Sequence, residues 1–222
     1  MIITSGEMKL EDGPARQSAH RHRQNFIVDF PSLKNGHSME CDAVLESAYC
    51  IWLEHDPQVV RYFTQPHTFT WMDSEQHYRY TPDFLVVLAT GICYFTEVKH
   101  DFTKLRPNRL LKLDSFNALC VQEGWAFQRR DQQGITESRT FHTLKALYGR
   151  MRPYNEQQQS YFYHYLFHRE WPTTLGDLVQ DSAAPDTGTI CYNLFTGRLL
   201  ADLTQRLTLD LVIDRRSSYE QV

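Results

Sequence analysis

No apolar run in this sequence approaches the roughly 18 residues that a membrane span needs, and no charged-then-apolar leader opens it; a cytoplasmic protein with neither span nor signal peptide is expected. Cysteine is sparse and unpaired. Cys41, Cys50, Cys93, Cys120 and Cys191 make an odd set of 5 with no CxxC spacing. That excludes a zinc ribbon and argues against a disulfide frame, leaving reduced thiols. A glycine-rich phosphate loop is missing, so ATP is not held in the P-loop manner. No local spacing suggests a Ser–His–Asp or Cys–His nucleophile. An excess of positive charge is missing too: the formal net charge is −4, which rules out a basic nucleic-acid coat.

What is present is a chain of 222 residues, 41 % hydrophobic, enough for one good-sized core or for a main domain plus a smaller one. The charge is uneven. Residues 1–152 carry 18 Lys+Arg against 18 Asp+Glu, and residues 153–222 carry 5 against 9. The acidic part is poorly suited to grip phosphates by itself, so a protein partner is its more natural ligand. Met151-Arg152-Pro153 breaks the periodic pattern and marks the expected boundary. Residues 1–19 read as a polar arm, followed by the basic cluster His20-Arg21-His22-Arg23, either solvated or touching phosphate.

Along the main domain, Phe26–Phe30 is a candidate strand. Ser38 offers a cap to a helix over Glu40–His55, whose Val44, Ala48, Ile51 and Trp52 share a face and which Asp56-Pro57 ends. Val59–Phe63 and Thr68–Met72 read as strands, and Asn108–Glu123 as a helix closed by Gly124. Trp125–Arg130 reads as a strand and Thr140–Gly149 as a helix. Beyond the boundary come an aromatic-rich helix over Glu156–Arg169, a short helix capped by Thr173 or Thr174, a helical Ile190–Gly197, and strands at Leu199–Leu203 and Leu207–Ile213. Short helices followed by a small β ribbon suggest a winged-helix-like module.

The chemistry concentrates in one stretch. Thr81-Pro82-Asp83-Phe84-Leu85-Val86-Val87-Leu88 and Ile92-Cys93-Tyr94-Phe95-Thr96-Glu97-Val98-Lys99 flank Ala89-Thr90-Gly91, the pattern of a hairpin whose three-residue loop puts Gly91 in the left-handed conformation. That loop pairs Leu88 with Ile92 and, down the ladder, sets Asp83 opposite Glu97. Lys99, two residues on, projects from the same face. Two carboxylates so close repel unless something compensates. A hard divalent cation does so, and Mg2+ prefers one or two carboxylates. With a lysine beside them to orient or help deprotonate a metal-bound water, these are the parts of a phosphodiester hydrolase. The bland alternative is a solvated strand face with a surface Asp–Lys pair.

Pro82-Asp83 with Glu97-Val98-Lys99 resembles the PD-(D/E)xK nuclease superfamily. Leu45-Glu46-Ser47, Asp56-Pro57-Gln58-Val59-Val60, Gln65-Pro66 and Tyr80-Thr81-Pro82-Asp83-Phe84 narrow the resemblance to TnsA, the endonuclease subunit of heteromeric cut-and-paste transposases. The likeness covers about Met39–Lys112, with further similarity at Gly197–Leu203 and Leu207–Asp210. It implies a restriction-endonuclease-like mixed α/β sheet flanked by helices, expected over residues 20–152 and followed by a small helical or winged-helix-like partner-binding domain over 153–222. It also implies an acidic metal ligand on the helix before the hairpin, which maps to Glu46. Periodicity alone would leave Glu46 solvated, since it lies well off the apolar stripe. Some members carry Gln where this chain has Glu97, which is the better metal ligand.

The expectation is therefore Mg2+-dependent hydrolysis of one DNA strand at the 5′ ends of a transposon, with Mn2+ as a substitute ion. Glu46, Asp83 and Glu97 hold metal and Lys99 positions the attacking water. The resemblance implies a DDE-type transposase that cuts the other strand and an AAA+ ATPase regulator on the C-terminal domain. His100, Lys104, Arg106 and Arg109, with Lys112, are candidates for the DNA path. His164 and His168 have the spacing of a metal pair but sit among aromatics and are assigned to packing. Two other readings stay open: a free-standing restriction or repair nuclease, which would cut without partners, and a non-catalytic adaptor that keeps the fold to bind DNA or transposase.

Overall fold

A computed structural model describes residues 27–73 and 75–216, so the N-terminal arm and the cluster His20-Arg21-His22-Arg23 lie outside the described residues. Two compact units divide the chain, the first ending at Thr136 and the second starting at Glu137. Among the described residues no helix is long and apolar enough to cross a membrane.

The β-branched and aromatic runs of the first unit build its sheet. β1 (Val28–Pro31) pairs antiparallel with β2 (Ser38–Cys41). The expected cap at Ser38 is thus corrected: Met39 and Cys41 alternate with exposed residues, the period of a strand, and the helix begins only at Val44. That helix, α1 (Val44–His55), stops at Asp56, whose N–H still reaches Trp52 O before Pro57 intervenes. Next come β3 (Val59–Thr64), β4 (Phe69–Asp73) and β5 (Gln76–Tyr80), the last unforeseen. β4 and β5 pair antiparallel in a ribbon of their own.

β6 (Phe84–Leu88) and β7 (Cys93–Lys99) form the expected hairpin. Phe84 pairs with Thr96 and Val87 with Cys93, and Leu88 N–H donates to Ile92 O at 2.9 Å. Gly91 has φ +80°, the left-handed turn residue that the loop length demands. From β7 the chain crosses through α2 (Pro107–Gln122) to β8 (Ala126–Asp131), which lies parallel to β7. The sheet order is β3-β6-β7-β8, antiparallel except at its last pair.

Alternation along β6 and β7 gives the sheet two buried faces. On one, the rings of Tyr49 and Phe84 meet edge-on at 5.2 Å, bringing α1 to the sheet. On the other, Leu85, Phe95 and Phe63 join Phe69, Trp71, Tyr78 and Tyr80 of the ribbon and Leu113, Phe116 and Leu119 of α2 in one core. Phe116 is fully buried among them, and burying such a side chain contributes roughly 1.5–3 kcal/mol. A mixed sheet flanked by helices on both faces is consistent with a restriction-endonuclease-like fold. α3 (Gln132–Thr136) closes the unit, its Ile135 carbonyl accepting from Trp52 Nε1 at 2.9 Å.

The second unit starts ahead of the expected boundary at Arg152. α4 (Arg139–Tyr148), read from the sequence as part of the main domain, buries Phe141, Leu144 and Leu147, sends Thr143 Oγ1 to Gln205 O at 2.7 Å, and packs Tyr148 on Phe195. Then follow α5 (Glu156–His168), the two-residue β9 (Thr173–Thr174), α6 (Leu175–Gln180), α7 (Thr187–Phe195), β10 (Leu199–Ala201) and β11 (Val212–Arg215). Thr174 caps α6 in a reciprocal box with Asp177. The small sheet runs β10-β11-β9, so the final strand lies later than the expected Leu207–Ile213.

Candidate active site

Phe95, Glu97 and Lys99 alternate onto one face of β7, and Asp83, just before β6, sits where the hairpin ladder sets it against Glu97. The side chains meet as that register requires. Lys99 Nζ lies 3.0 Å from Asp83 Oδ2 and 2.7 Å from Glu97 Oε1, so one ammonium bridges both carboxylates. Asp83 Oδ2 also accepts from Val98 N–H at 2.7 Å. Glu97 is held from its other side by the Tyr80 hydroxyl, which donates to Oε2.

Glu46 lies in the first turn of α1 and is buried, 7 % exposed, contrary to its position on the helical wheel. Its Oε2 accepts from Asp42 N–H at 2.8 Å. Burial first, and then the charge of Asp83, push the Glu46 carboxyl up to about 8, while Lys99 pulls the other way. Burial and then Asp83 likewise raise Glu97 to about 7, opposed by Lys99 and Tyr80. For Lys99, burial alone would lower the pKa, but Asp83 and Glu97 outweigh it and hold it above the usual lysine value. A lysine so placed stays protonated near neutrality. It can orient a water or a phosphate oxygen, and it is a poor base.

The buried Glu46 and Glu97 and the half-buried Asp83 are hard oxygen donors of the kind a divalent cation prefers. The raised pKa values of Glu46 and Glu97 mark groups that gain from added positive charge. Among the described residues no ready-made cluster of three or more His, Cys, Asp or Glu converges as a cage. Asp83 and Glu97 are instead joined through Lys99, and Glu46 feels the charges of Asp83 and Lys99.

A cleft of about 490 Å³ opens over this centre, lined by Asp83, Glu97 and Lys99 together with Arg79, Arg109 and Lys112. Of the residues expected along a DNA path, Arg109 and Lys112 therefore reach the cleft wall. His100 is exposed and its Nδ1 lies 2.6 Å from Gln132 Oε1. Lys104 pairs with Asp101 at 3.1 Å, and Arg106 occupies the N-cap position of α2; these three do not line the cleft. Arg79 and Tyr80 were assigned no role from the sequence. The alternation of Tyr78 and Tyr80 with exposed Arg79 along β5 is the signal that could have placed them on opposite faces. In the second unit, the His164 and His168 rings lie 4.1 Å apart against each other.

Residues 56–132 match the family model of the TnsA-like endonuclease N terminal. This stretch holds Asp83, Glu97 and Lys99, and Glu46 precedes it. No curated protein matches the chain.

Proposed function

We propose, starting from the TnsA-like endonuclease domain matched at residues 56–132, that this chain is the endonuclease subunit of a heteromeric transposase. It would cut the non-transferred DNA strand at the 5′ ends of a transposon. The observation that supports this most is the bridge of Lys99 Nζ between Asp83 and Glu97 at the floor of an arginine- and lysine-walled cleft.

In this reading Glu46, Asp83 and Glu97 hold Mg2+, or Mn2+ in its place. The ion, when bound, polarises the scissile phosphate and stabilises the charge that develops on it. Val98 N–H and Tyr80 OH keep the carboxylates of Asp83 and Glu97 aimed. Lys99, protonated, positions the attacking water and donates to the phosphate. Arg79, Arg109 and Lys112 hold the flanking backbone, contacts that give affinity without sequence choice. Sequence choice then falls to partners, a DDE-type transposase and an AAA+ ATPase regulator. The second unit is read as a winged-helix-like, partner-binding module; its order of two helices, a strand, two helices and two strands supports that reading.

Strand-resolved cleavage of end-labelled transposon DNA tests the proposal. With the transposase partner and Mg2+, 5′-strand cuts are expected, and the chain alone should be nearly silent. Efficient cutting by the chain alone would favour a free-standing nuclease instead.

A further inference from the structure

Gln65 has a backbone that L-residues avoid. Its φ is +46°, in the left-handed region where a non-glycine side chain is strained. It also precedes Pro66, a position that ordinarily adopts extended backbone. Glycine or asparagine would take this conformation more easily. The glutamine makes two hydrogen bonds in different directions. Its N–H donates to Asp83 O at 2.8 Å, and its side-chain Nε2 donates to Asp42 Oδ2 at 2.6 Å. Asp42 in turn gives its own N–H to Glu46 Oε2 at 2.8 Å.

A continuous line of hydrogen bonds therefore runs Asp83–Gln65–Asp42–Glu46, from the lead-in to β6, across the end of β3, to the first turn of α1. The Gln65 side chain is buried, 8 % exposed, and its Oε1 has no hydrogen-bond partner among the described residues. Strain and a buried amide left half-satisfied are both costs, and together at one residue they point to a functional constraint rather than to packing.

We propose that Gln65 is a positioning residue: it sets Glu46 at a working distance from Asp83, so that carboxylates from two separate elements serve one cation. The inference rests on the nuclease reading above. Gln65→Met keeps the side chain's bulk and the backbone bond to Asp83 and deletes the bond to Asp42. Asp42→Ala deletes the same bond from its half-buried end, so the test survives if one variant folds poorly.

The full-length chain is titrated calorimetrically with Mg2+ in wild type, both single variants, the double variant and Asp83→Ala. Mg2+ affinity should fall about tenfold in each single variant, as for residues that orient metal ligands. The double variant should be no weaker than either single, because both remove one bond. Wild-type affinity in both single variants, or losses that add in the double, would overturn the proposal. If Asp83→Ala loses the ion while the other variants keep it, only this inference fails. If Asp83→Ala also binds like wild type, the nuclease reading fails with it.

Discussion

Tyr80 donates its hydroxyl to Glu97 from inside the aromatic core, where its ring lies 4.5 Å from that of Phe116. The bond favours the ionised carboxylate, against the burial and the Asp83 charge that raise Glu97. Tyr80→Phe keeps the ring and removes the donor, so the Glu97 pKa rises further. The folded state then holds the Glu97 proton to higher pH. The stability lost as pH climbs from the ordinary carboxylate range is lost over a wider window. In single-turnover cleavage the acid limb of the pH–rate profile should move to higher pH by about one unit, a loss of about 1.4 kcal/mol in favour of the ionised form. An unmoved limb would mean that the bond does not tune Glu97. At this scale Asp83, Glu97 and Lys99 were legible in the sequence because a short hairpin has few registers. The placement of Glu46 was not. α1 buries Leu45, Glu46, Tyr49, Cys50 and Leu53, which leaves no single apolar stripe to read. A periodicity argument assumes one wet face, and this helix packs against β1, β2, β3, β7 and α3.

The hairpin of β6 and β7 is the element that brings the acidic pair together, and its loop depends on Gly91. A Cβ at Gly91 would meet nothing within 4 Å, so its cost is conformational alone. Gly91→Ala should lower stability by about 1–2 kcal/mol, measured by chemical denaturation, and leave the cleavage rate of the folded protein unchanged. A large loss of rate at full folding would show that the loop contributes more than register. β2 was harder to see than this hairpin because Ser38 is a good helix cap by type, and only pairing with β1 reveals the strand. β5 was hidden for a related reason: Gln76–Tyr80 is polar at three of its five positions, and its two buried tyrosines matter only once β4 lies beside them.

The molecule as a whole is acidic, yet the wall of its cleft is basic, with Arg79, Arg109 and Lys112 set among the carboxylates and Lys99. Local rather than net charge governs a phosphate backbone at this range. Arg79→Ala and Lys112→Ala should each weaken DNA binding for all sequences and reduce the slope of log affinity against log salt by about 1. Lys104→Ala, already paired with Asp101, should do less. Equal effects from all three would place the DNA elsewhere. The division of the chain at Thr136 also belongs to this scale. α4 announces a buried face in its sequence, but a stripe does not say which unit it packs into, so the proline-marked break at Pro153 was the more visible and the less informative signal.

Everything proposed for function depends on Asp83 serving the same ion as Glu97. Strand-specific cleavage of transposon ends by wild type and Asp83→Ala, with the transposase partner and Mg2+ present, tests this most directly. The account predicts that 5′-strand cutting is abolished in the variant while partner binding and the thermal midpoint are retained. Cleavage of that strand at the wild-type rate by Asp83→Ala would contradict it.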